Sequence, residues 1–483
     1  MTSAFIQAFL PELVLVCGAL GLFVVALGGS QGRAARKTAL VVAAAAILAC
    51  VLALGARADL FSGAYRVDAF SQLLKLAFAC GFAAIVLLSG DLPDIRDEIK
   101  PEYFLFVTLS ATGLVMLVSC IDVIALVVAL ELASFPLYLL VPMRRERGGQ
   151  RSQMESAIKY VMFGVAANGI MLFGLSYLFG LTGTTHLPQM AASLRMQAGS
   201  PLAIAGLAMA FCGLFYKLAV FPFHFWTPDV YQGASNETAG FIASLPKLGA
   251  VAVLVRFVSL APPDNRAIIL LLSVLAAASM FYGNLVALMQ RDLKRMLGFS
   301  GIAHAGYAMV GLVALDLAGY TAAIYYSLGY VLMILACFVV ACRVSPDGTN
   351  VAVGDLAGLH RRSPLLAITL FTGIFALAGL PPFVGFMGKL GLLAAALARG
   401  HLWLVVVAVV NSAIAIYYYL QVIRQAVFGE AAVERPPIRL SASTRLLCVV
   451  LIAGIVAFGA FPETIIGAIR QSLTFIPSSA PYR

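Results

Sequence analysis

The chain has 483 residues, of which 62% are hydrophobic and only 11% are charged. No soluble domain of ordinary composition approaches these proportions, and repeated apolar runs of spanning length are typical of a polytopic membrane protein. The net charge of +10 does not indicate nucleic acid, because the basic residues collect in short connections between the apolar runs.

The apolar runs predict an all-α fold with about 14 transmembrane helices. Most lysines and arginines follow odd-numbered segments, so we expect these connections to be cytoplasmic and both termini to face outward. No basic residue precedes the first run, so we expect a retained helix rather than a cleaved signal. The predicted segments are residues 9–28, 37–56, 68–89, 101–119, 121–142, 154–181, 200–226, 236–260, 267–288, 293–314, 318–342, 363–397, 402–427 and 444–475.

The sequence lacks the motifs that are typical of two classes of cofactor site. The eight cysteines occur singly, without a CxxC pair or histidines at ligand spacing, so we expect no metal or iron–sulfur centre in this chain. No phosphate-binding glycine loop of the Walker type is present, so we do not expect ATP to drive this chain directly.

Lysines inside the predicted spans are the main functional candidates. Each costs about 2.5–3.5 kcal/mol at the bilayer centre, so each needs a partner or a water-filled cavity. We expect Lys75, in the third segment, to be structural and to extend its stem to the outer interface. The lysines inside spans are Lys75, Lys159, Lys217, Lys247 and Lys389.

The fifth and sixth segments carry acidic partners for these lysines. Glu131 lies in the middle of the fifth segment, where pairing with a lysine of another helix is favoured over a neutral carboxyl bonded to backbone. Glu155 and Lys159 lie one turn apart in the sixth segment. Lys159 is therefore expected either to pair locally with Glu155 or to reach Glu131 across the bundle.

The seventh and eighth segments combine prolines with lysines. Pro222 interrupts the seventh segment near Lys217, and Pro246 directly precedes Lys247 in the eighth. Proline removes a backbone donor and crowds the preceding turn, so we predict a kinked or broken helix beside Lys217. His224, near the cytoplasmic edge, is suited either to a structural hydrogen bond or to a proton relay.

The tenth and twelfth segments carry a similar combination. His304 lies at mid-span in the tenth segment, as a proton relay or as a core histidine with its hydrogen bonds satisfied. Pro381 and Pro382 must break the long twelfth segment, and Lys389 follows about two turns later.

The proline-broken segments, the seventh and the twelfth, are five helices apart and therefore cross the bilayer in opposite directions. This arrangement indicates two inverted five-helix repeats with the transported ion near the midplane. We predict N-terminal helices over residues 1–100, a first repeat over 101–261, a second over 262–428, and a C-terminal loop and helix over 429–483.

Several stretches together carry a family resemblance: IALVVALELASFPLYLL, ESAIKYVMFG, FYKLAVFPFHFWTPDVYQGA, RDLKRMLGFSGIAHAGY and LAGLPPFVGFMGKLGLL. They resemble the antiporter-like membrane subunits of respiratory complex I over the range from Leu10 to the stretch that begins at Asn411. The resemblance is strongest to subunit N of bacterial NADH–quinone oxidoreductase, because it implies a lysine at Lys389 where subunit M is expected to have glutamate; subunit L is expected to be longer. The loop GASNETAGF departs from the expected threonine–proline pattern.

The resemblance implies a proton-translocating subunit of the membrane arm, in the bacterial inner membrane. The sites for NADH, FMN, iron–sulfur clusters and quinone would then belong to other subunits, and subunit M-like and K-like neighbours and lipids would be its partners. The alternatives are a subunit of a multisubunit cation/proton antiporter and a structural scaffold. Intramembrane lysines argue against the scaffold, which gains nothing from their insertion cost.

We hypothesise that Glu131 and Lys217 form a switchable ion pair. When the pair is closed Lys217 keeps its proton, and when it opens burial favours the neutral amine and the proton is released. Lys247 and His304 would carry the proton along the midplane, and Lys389 would be the terminal donor toward the outer face.

Overall fold

The computed structural model describes residues 3–29, 32–147, 151–197, 200–261, 265–429 and 436–473. These residues are mostly helical, and the predicted all-α fold is confirmed. Their one sheet is an antiparallel hairpin of β1 (Ala58–Leu60) and β2 (Tyr65–Val67), in which Ala58 pairs with Val67 and Leu60 with Tyr65.

The helices of the first half begin with short α1 and end with α12. They are α1 (Ser3–Ala8), α2 (Leu10–Leu27), α3 (Gly32–Ala53), α4 (Ala69–Ser89), α5 (Lys100–Leu117), α6 (Val123–Leu140), α7 (Ser152–Thr182), α8 (Leu187–Met196), α9 (Pro201–Leu218), α10 (Trp226–Gly233), α11 (Asn236–Ala243) and α12 (Leu245–Val258).

The second half continues to α21. Its helices are α13 (Arg266–Ala287), α14 (Leu293–Val313), α15 (Leu317–Val344), α16 (Leu359–Arg362), α17 (Pro364–Ala378), α18 (Val384–Ala398), α19 (Leu402–Phe428), α20 (Ala442–Ala460) and α21 (Pro462–Ser472). Single 3₁₀ turns occupy Phe61–Gly63, Asp97–Ile99, Val141–Met143 and Val353–Leu356.

Twelve spans in the described part of the chain are long and apolar enough to cross a membrane, with α11 and α12 together forming one of them. Two further predicted segments are not among the twelve: α5 lies at the fourth, and the shorter apolar helices α17 and α18 together lie at the twelfth. The predicted number of about 14 spans therefore stays a prediction that requires α5 and the broken α17–α18 segment to be counted as spans.

The structure corrects two predicted segments, one at its end and one in its interior. The segment predicted over 444–475 stops at Ala460, and α21 is a separate helix that starts at Pro462. The segment predicted over 236–260 is interrupted at Ser244, whose φ of −110° and ψ of −87° are not helical. Pro246 suits the first turn of α12, because the amide that it lacks has no acceptor there.

Burial divides the helices into a central group and a peripheral group. All of α14, and most of α11–α12 and α15, is buried inside the protein. In α2, α19 and α20, by contrast, about two thirds of the residues that would cross the membrane lie at the surface of the protein. The peripheral helices expose large apolar side chains such as Val24, Val406 and Leu446. Because lipid is the solvent for such a surface, the central helices are where polar groups can be kept apart from hydrocarbon.

Matching local features recur in the two predicted repeats. Asp122 caps the N-terminus of α6 and Asp292 that of α14, each with its carboxylate accepting from backbone N–H groups. Each aspartate also forms an isolated antiparallel bridge, with His186 and Ala352 respectively. These features support the predicted repeats, whose inverted arrangement stays a prediction.

Candidate functional site

The first helix break follows Lys217 and occupies residues 219–225. Ala219 adopts the left-handed conformation with φ of 65°, and the N–H of Val220 donates to the carbonyl of Phe215 at 2.9 Å. This is a Schellman-type end of α9, and Pro222 in the following turn cannot continue the helix. The break therefore places Lys217 in the last turn of a helix inside the bundle.

Lys217 meets α6 through a hydroxyl rather than a carboxylate. Its ammonium donates to Ser134 Oγ, and Ser134 lies one turn along α6 from Glu131. Between Glu131 and Lys217 there is no ion pair within 4.0 Å. Instead, partly exposed Glu131 accepts a hydrogen bond from the side-chain amide of Asn168 on α7. The predicted acid and base are thus brought to one face of α6, with Ser134 holding the lysine.

Lys159 does not reach Glu131, so that interpretation was wrong. Its ammonium pairs with Glu155 at 2.6 Å, which confirms the local pair, and with Asp229 at 2.7 Å. Arg295 pairs with the other oxygen of Asp229 at 2.6 Å. Burial raises the pKa of the Asp229 carboxyl, but the hydrogen bonds from Lys159 and Arg295 outweigh that effect and hold it below its usual value.

Lys217 and Lys247 lie in adjoining cavities. The cavity beside Lys217, of about 20 Å³, is lined by Pro246, which directly precedes Lys247. The cavity beside Lys247, of about 10 Å³, is lined by Leu218, which directly follows Lys217. A cavity needs a volume of about 10–15 Å³ to hold one water molecule. The cavity beside Lys217 therefore has room for one water, and the cavity beside Lys247 is at the limit.

Lys247 and His304 line the same small cavity. The ammonium of Lys247 donates to the carbonyl of Gly301 at 3.1 Å, one turn before His304 on α14, and lies 5.6 Å from the ring centre of Tyr330. Both residues are almost completely buried, with 3% and 4% of their surface exposed. The central helix α14 therefore joins these two predicted residues.

His304 lies between two tyrosine hydroxyls that sequence reasoning missed. Its Nδ1 is 2.5 Å from the hydroxyl of Tyr326 and its Nε2 is 3.0 Å from that of Tyr419. The Tyr419 hydroxyl continues to Ser300 Oγ at 2.6 Å. A neutral imidazole has one donor and one acceptor, and hydroxyls can serve either, so both tautomers of His304 can be satisfied here.

The second helix break occupies residues 379–383 and has the same backbone pattern as the first. Gly379 is left-handed with φ of 84°, and the N–H of Leu380 donates to the carbonyl of Phe375 at 3.0 Å. Pro381 and Pro382 follow, and α18 then begins at Val384. The predicted break at this proline pair is confirmed.

Lys389 turns back from α18 onto the end of α17. Its ammonium donates to the carbonyls of Ala378 at 3.1 Å and Leu377 at 3.3 Å. The last carbonyls of a helix have no intrahelical partner and carry partial negative charge, so a cation there is favourable. The ammonium also lies 4.6 Å from the ring centre of Tyr307. A Cβ at Gly379 would lie 2.9 Å from Lys389 Cδ, so a larger residue would make the lysine side chain shift, and the positive φ of Gly379 itself favours glycine.

His224 lies in the first break but makes neither of the predicted kinds of contact. It is buried, its ring packs 4.3 Å from Tyr282 and 4.5 Å from Phe225, and neither ring nitrogen has a hydrogen-bond partner among the described residues. The structure therefore places this histidine apart from the other candidates.

Several charged groups are more deeply buried than the sequence suggests. Lys75 does not extend to the interface: it is fully buried and pairs with equally buried Glu12 at 2.6 Å. Glu237 and Lys294, which were not among the candidates, are buried as well, whereas Glu131 is only partly buried. Glu12 and Lys294 lay at the predicted ends of apolar runs, where sequence alone suggests exposure. No group of three or more His, Cys, Asp or Glu residues in the described ranges could hold a metal ion.

The sequence matches a known membrane family. Residues 120–415, which include both helix breaks, match the family described as NADH:quinone oxidoreductase/Mrp antiporter, TM. The chain belongs to this family. The resemblance predicted from the motifs is confirmed, and the intramembrane lysines Lys217, Lys247 and Lys389 all lie within the matched range.

Relatives of the antiporter-like family cover almost the whole chain. NADH-quinone oxidoreductase subunit N 2 of Opitutus terrae is 63% identical over 97% of this chain and 98% of its own length. NADH-quinone oxidoreductase subunit N of Nitrosomonas europaea is 34% identical over 98% of both chains. The chain is therefore similar over its full length to subunit N proteins.

Two solved structures are similar to the fold. A chain of respiratory complex I from Thermus thermophilus with bound aureothin has a TM-score of 0.81 and 31% identity, covering 95% of this chain and 98% of that chain. A chain of the Mrp complex from Dietzia sp. has a TM-score of 0.86 over 99% of this chain and 98% of that chain. The second is only 21% identical, so it shows the fold alone.

Proposed function

We propose that this chain is the proton-translocating subunit N of an NADH–quinone oxidoreductase membrane arm. The observation that carries the proposal is the set of basic groups that begins beside the first helix break and ends beside the second: Lys217 is partly buried, and Lys247, His304 and Lys389 are buried. A scaffold gains nothing from these costly residues, whereas a proton path needs groups that can hold and release a proton inside the bilayer.

In this proposal Lys217 is the switch. Ser134 holds its ammonium in the structure, and a small shift along the same face of α6 would bring it to Glu131. With the carboxylate nearby the ammonium is stabilised; when Asn168 holds Glu131, as here, burial favours release of the proton. Lys159, which is paired with Asp229 on the side expected to be cytoplasmic, would supply protons to this site.

The released proton passes to the second half through the adjoining cavities. Lys247 receives it by way of a water molecule in the cavity beside Lys217, since Pro246 and Leu218 line the neighbouring cavities. His304 follows within the cavity of Lys247, and the hydroxyls of Tyr326 and Tyr419 keep its ring ready to accept a proton at one nitrogen and donate at the other.

Lys389 is the terminal group. It contacts Tyr307, whose ring centre lies 6.0 Å from that of His304, so the two breaks are joined through the α14 aromatic residues. Carbonyls at the end of α17 hold the Lys389 ammonium until a change at the break lets the lysine release its proton toward the outer face. Pro222, Pro381 and Pro382 keep both breaks from closing into continuous helix.

The chain itself would take no part in redox chemistry. NADH, FMN, iron–sulfur clusters and quinone would lie in partner subunits, with subunit M-like and K-like neighbours beside this one. We place the protein in the bacterial inner membrane with both termini outward, because the basic connections follow the odd-numbered spans.

The test is Lys217→Ala in the complete complex, reconstituted in vesicles and shown to be assembled. Lys37→Ala, at an exposed lysine of α3, is the control. We expect Lys217→Ala to lose both NADH-driven quinone reduction and proton uptake, and the control to keep both. If electron transfer and proton uptake survive in Lys217→Ala and only sodium tolerance falls, a cation antiporter is favoured. If the variant keeps full activity, a structural subunit is favoured and the proposal is contradicted.

A further inference from the structure

A second buried acid–base pair lies in the N-terminal helices, outside the matched range 120–415. Glu12 of α2 and Lys75 of α4 pair at 2.6 Å, and neither side chain has any exposed surface. The hydroxyl of Tyr65, on β2, donates to the same Glu12 oxygen at 2.5 Å, and its ring centre lies 5.2 Å from the lysine ammonium. The three residues form one compact cluster.

The cluster has unused hydrogen-bonding capacity. The second carboxylate oxygen of Glu12 has no hydrogen-bond partner in the described residues, and neither do the two polar atoms of Gln72 and the hydroxyl of Ser119. Gln72 lies one turn before Lys75 on α4, and Ser119 follows α5, where its carbonyl accepts from the N–H after Tyr65 at 2.8 Å. The thiols of Cys50 and Cys120 lie close enough to interact electrostatically with both Glu12 and Lys75.

Packing alone does not account for this pair. Two buried charges pay a desolvation cost that their attraction only partly repays, and well-packed apolar residues of the same size generally stabilise as well or better. A single unpaired charge inside the membrane would cost even more. Ionisable residues at such positions are therefore candidates for a proton or ion pathway.

The pair lies near the ends of the helices that carry it. Glu12 is in the first turn of α2 and Lys75 is about two turns into α4, and the β1–β2 hairpin, which carries Tyr65, lies at the same end together with Phe5 of α1. At the start of α4, Asp68 pairs with Arg256 at 3.0 Å, and Arg256 belongs to α12, the helix that carries Lys247. The start of α4, the helix that carries Lys75, is thus linked to α12 by an ion pair.

We propose that Glu12, Lys75 and Tyr65 form a second proton-holding site that exchanges protons with the face where α2 and α4 begin. A proton fits the cluster better than a metal cation, because the ammonium repels cations and the neighbouring groups include hydroxyl donors. Tyr65 is placed to pass the proton between Glu12 and the hairpin surface. This inference rests on the proposed proton-translocating function.

The test removes both charges at once, so that no unpaired charge remains buried. The double variant Glu12→Gln with Lys75→Met is compared, in the reconstituted complex, with Asp316→Asn and Arg399→Met, which removes a partly exposed pair at 2.9 Å. We expect both double variants to assemble like the wild type, and only the first to translocate fewer protons per NADH oxidised. A wild-type proton ratio in the first would overturn the inference and assign the pair to holding α2 against α4.

A second variant guards against a failure of assembly. Tyr65→Phe removes only the hydroxyl and keeps the ring that packs against Phe9 and Phe61. We expect a several-fold slower turnover with a larger solvent isotope effect; an unchanged rate and isotope effect would overturn the relay. Lys217→Ala, measured in parallel, separates the two proposals: if it abolishes pumping while the N-terminal variants pump normally, only the further inference fails.

Discussion

The two helix breaks have the same backbone but hold their lysines in opposite ways. At both, a left-handed residue follows the helix and the next N–H returns to a phenylalanine carbonyl, Phe215 or Phe375. Lys217 precedes its break and binds a side chain on another helix, whereas Lys389 follows its break and binds the carbonyls that the break leaves open.

One backbone motif can therefore serve two tasks. A hydroxyl partner on a neighbouring helix is easily exchanged for the nearby carboxylate of Glu131, so Lys217 is suited to switch. Two backbone carbonyls cannot move without the break itself changing, so Lys389 is suited to hold a proton until the helix end rearranges.

The largest effect is expected from removing the lysines themselves. Lys217→Met and Lys389→Met should each lower coupled quinone reduction about 100-fold or more, since each removes a proton-transfer group. Only Lys389→Met leaves backbone carbonyls unpaired, which costs about 1–3 kcal/mol. Thermal unfolding of the purified complex should therefore shift for Lys389→Met alone; equal shifts for the two variants would mean that the breaks do not differ in this way.

Ser134→Ala should have the next largest effect. It removes the hydroxyl that holds Lys217 while leaving Glu131 in place, so the lysine should pair with the carboxylate and release its proton less readily. We expect coupled turnover to fall about tenfold without loss of assembly. Ser134→Thr, which keeps the hydroxyl, is the control, and normal turnover in Ser134→Ala would remove Ser134 from the switch.

The left-handed residues allow a reciprocal exchange. Gly379→Ala should destabilise the complex by about 1–2 kcal/mol because its φ is positive, and the new side chain would also crowd Lys389. Ala219→Gly should be neutral or stabilising, because Ala219 already bears the cost of φ 65°. Thermal midpoints of the two assembled variants test this, and destabilisation by both would show that Ala219 is held by its packing.

The smallest effect is expected at Tyr307. Tyr307→Leu removes the ring beside the Lys389 ammonium, a contact of about 0.5–2 kcal/mol, and should slow coupled turnover by only a few-fold. Tyr307→Phe keeps the ring and should retain more activity than the leucine variant. If the phenylalanine variant is the slower of the two, the hydroxyl, which donates to the carbonyl of Ala408 at 3.2 Å, is the important group.

Much of the fold and part of the site follow from local sequence. Apolar runs predict the spans because the bilayer requires each to satisfy its own backbone groups. Pro222 and the pair Pro381–Pro382 predict the breaks because proline cannot complete a helix turn. The lysines Lys217, Lys247 and Lys389 stand out because their cost inside the membrane is high whatever surrounds them. These features depend on residues close together in the chain.

The partners of these residues were decided only by the tertiary structure. Nothing near Lys217 in sequence indicates Ser134, nothing near Lys75 indicates Glu12, and the tyrosines that flank His304 come from α15 and α19. Such contacts depend on how helices distant in sequence pack and rotate against one another. The positions of the intramembrane charges follow from the local sequence, whereas their hydrogen-bond and ion-pair partners follow from the packing of helices distant in the chain.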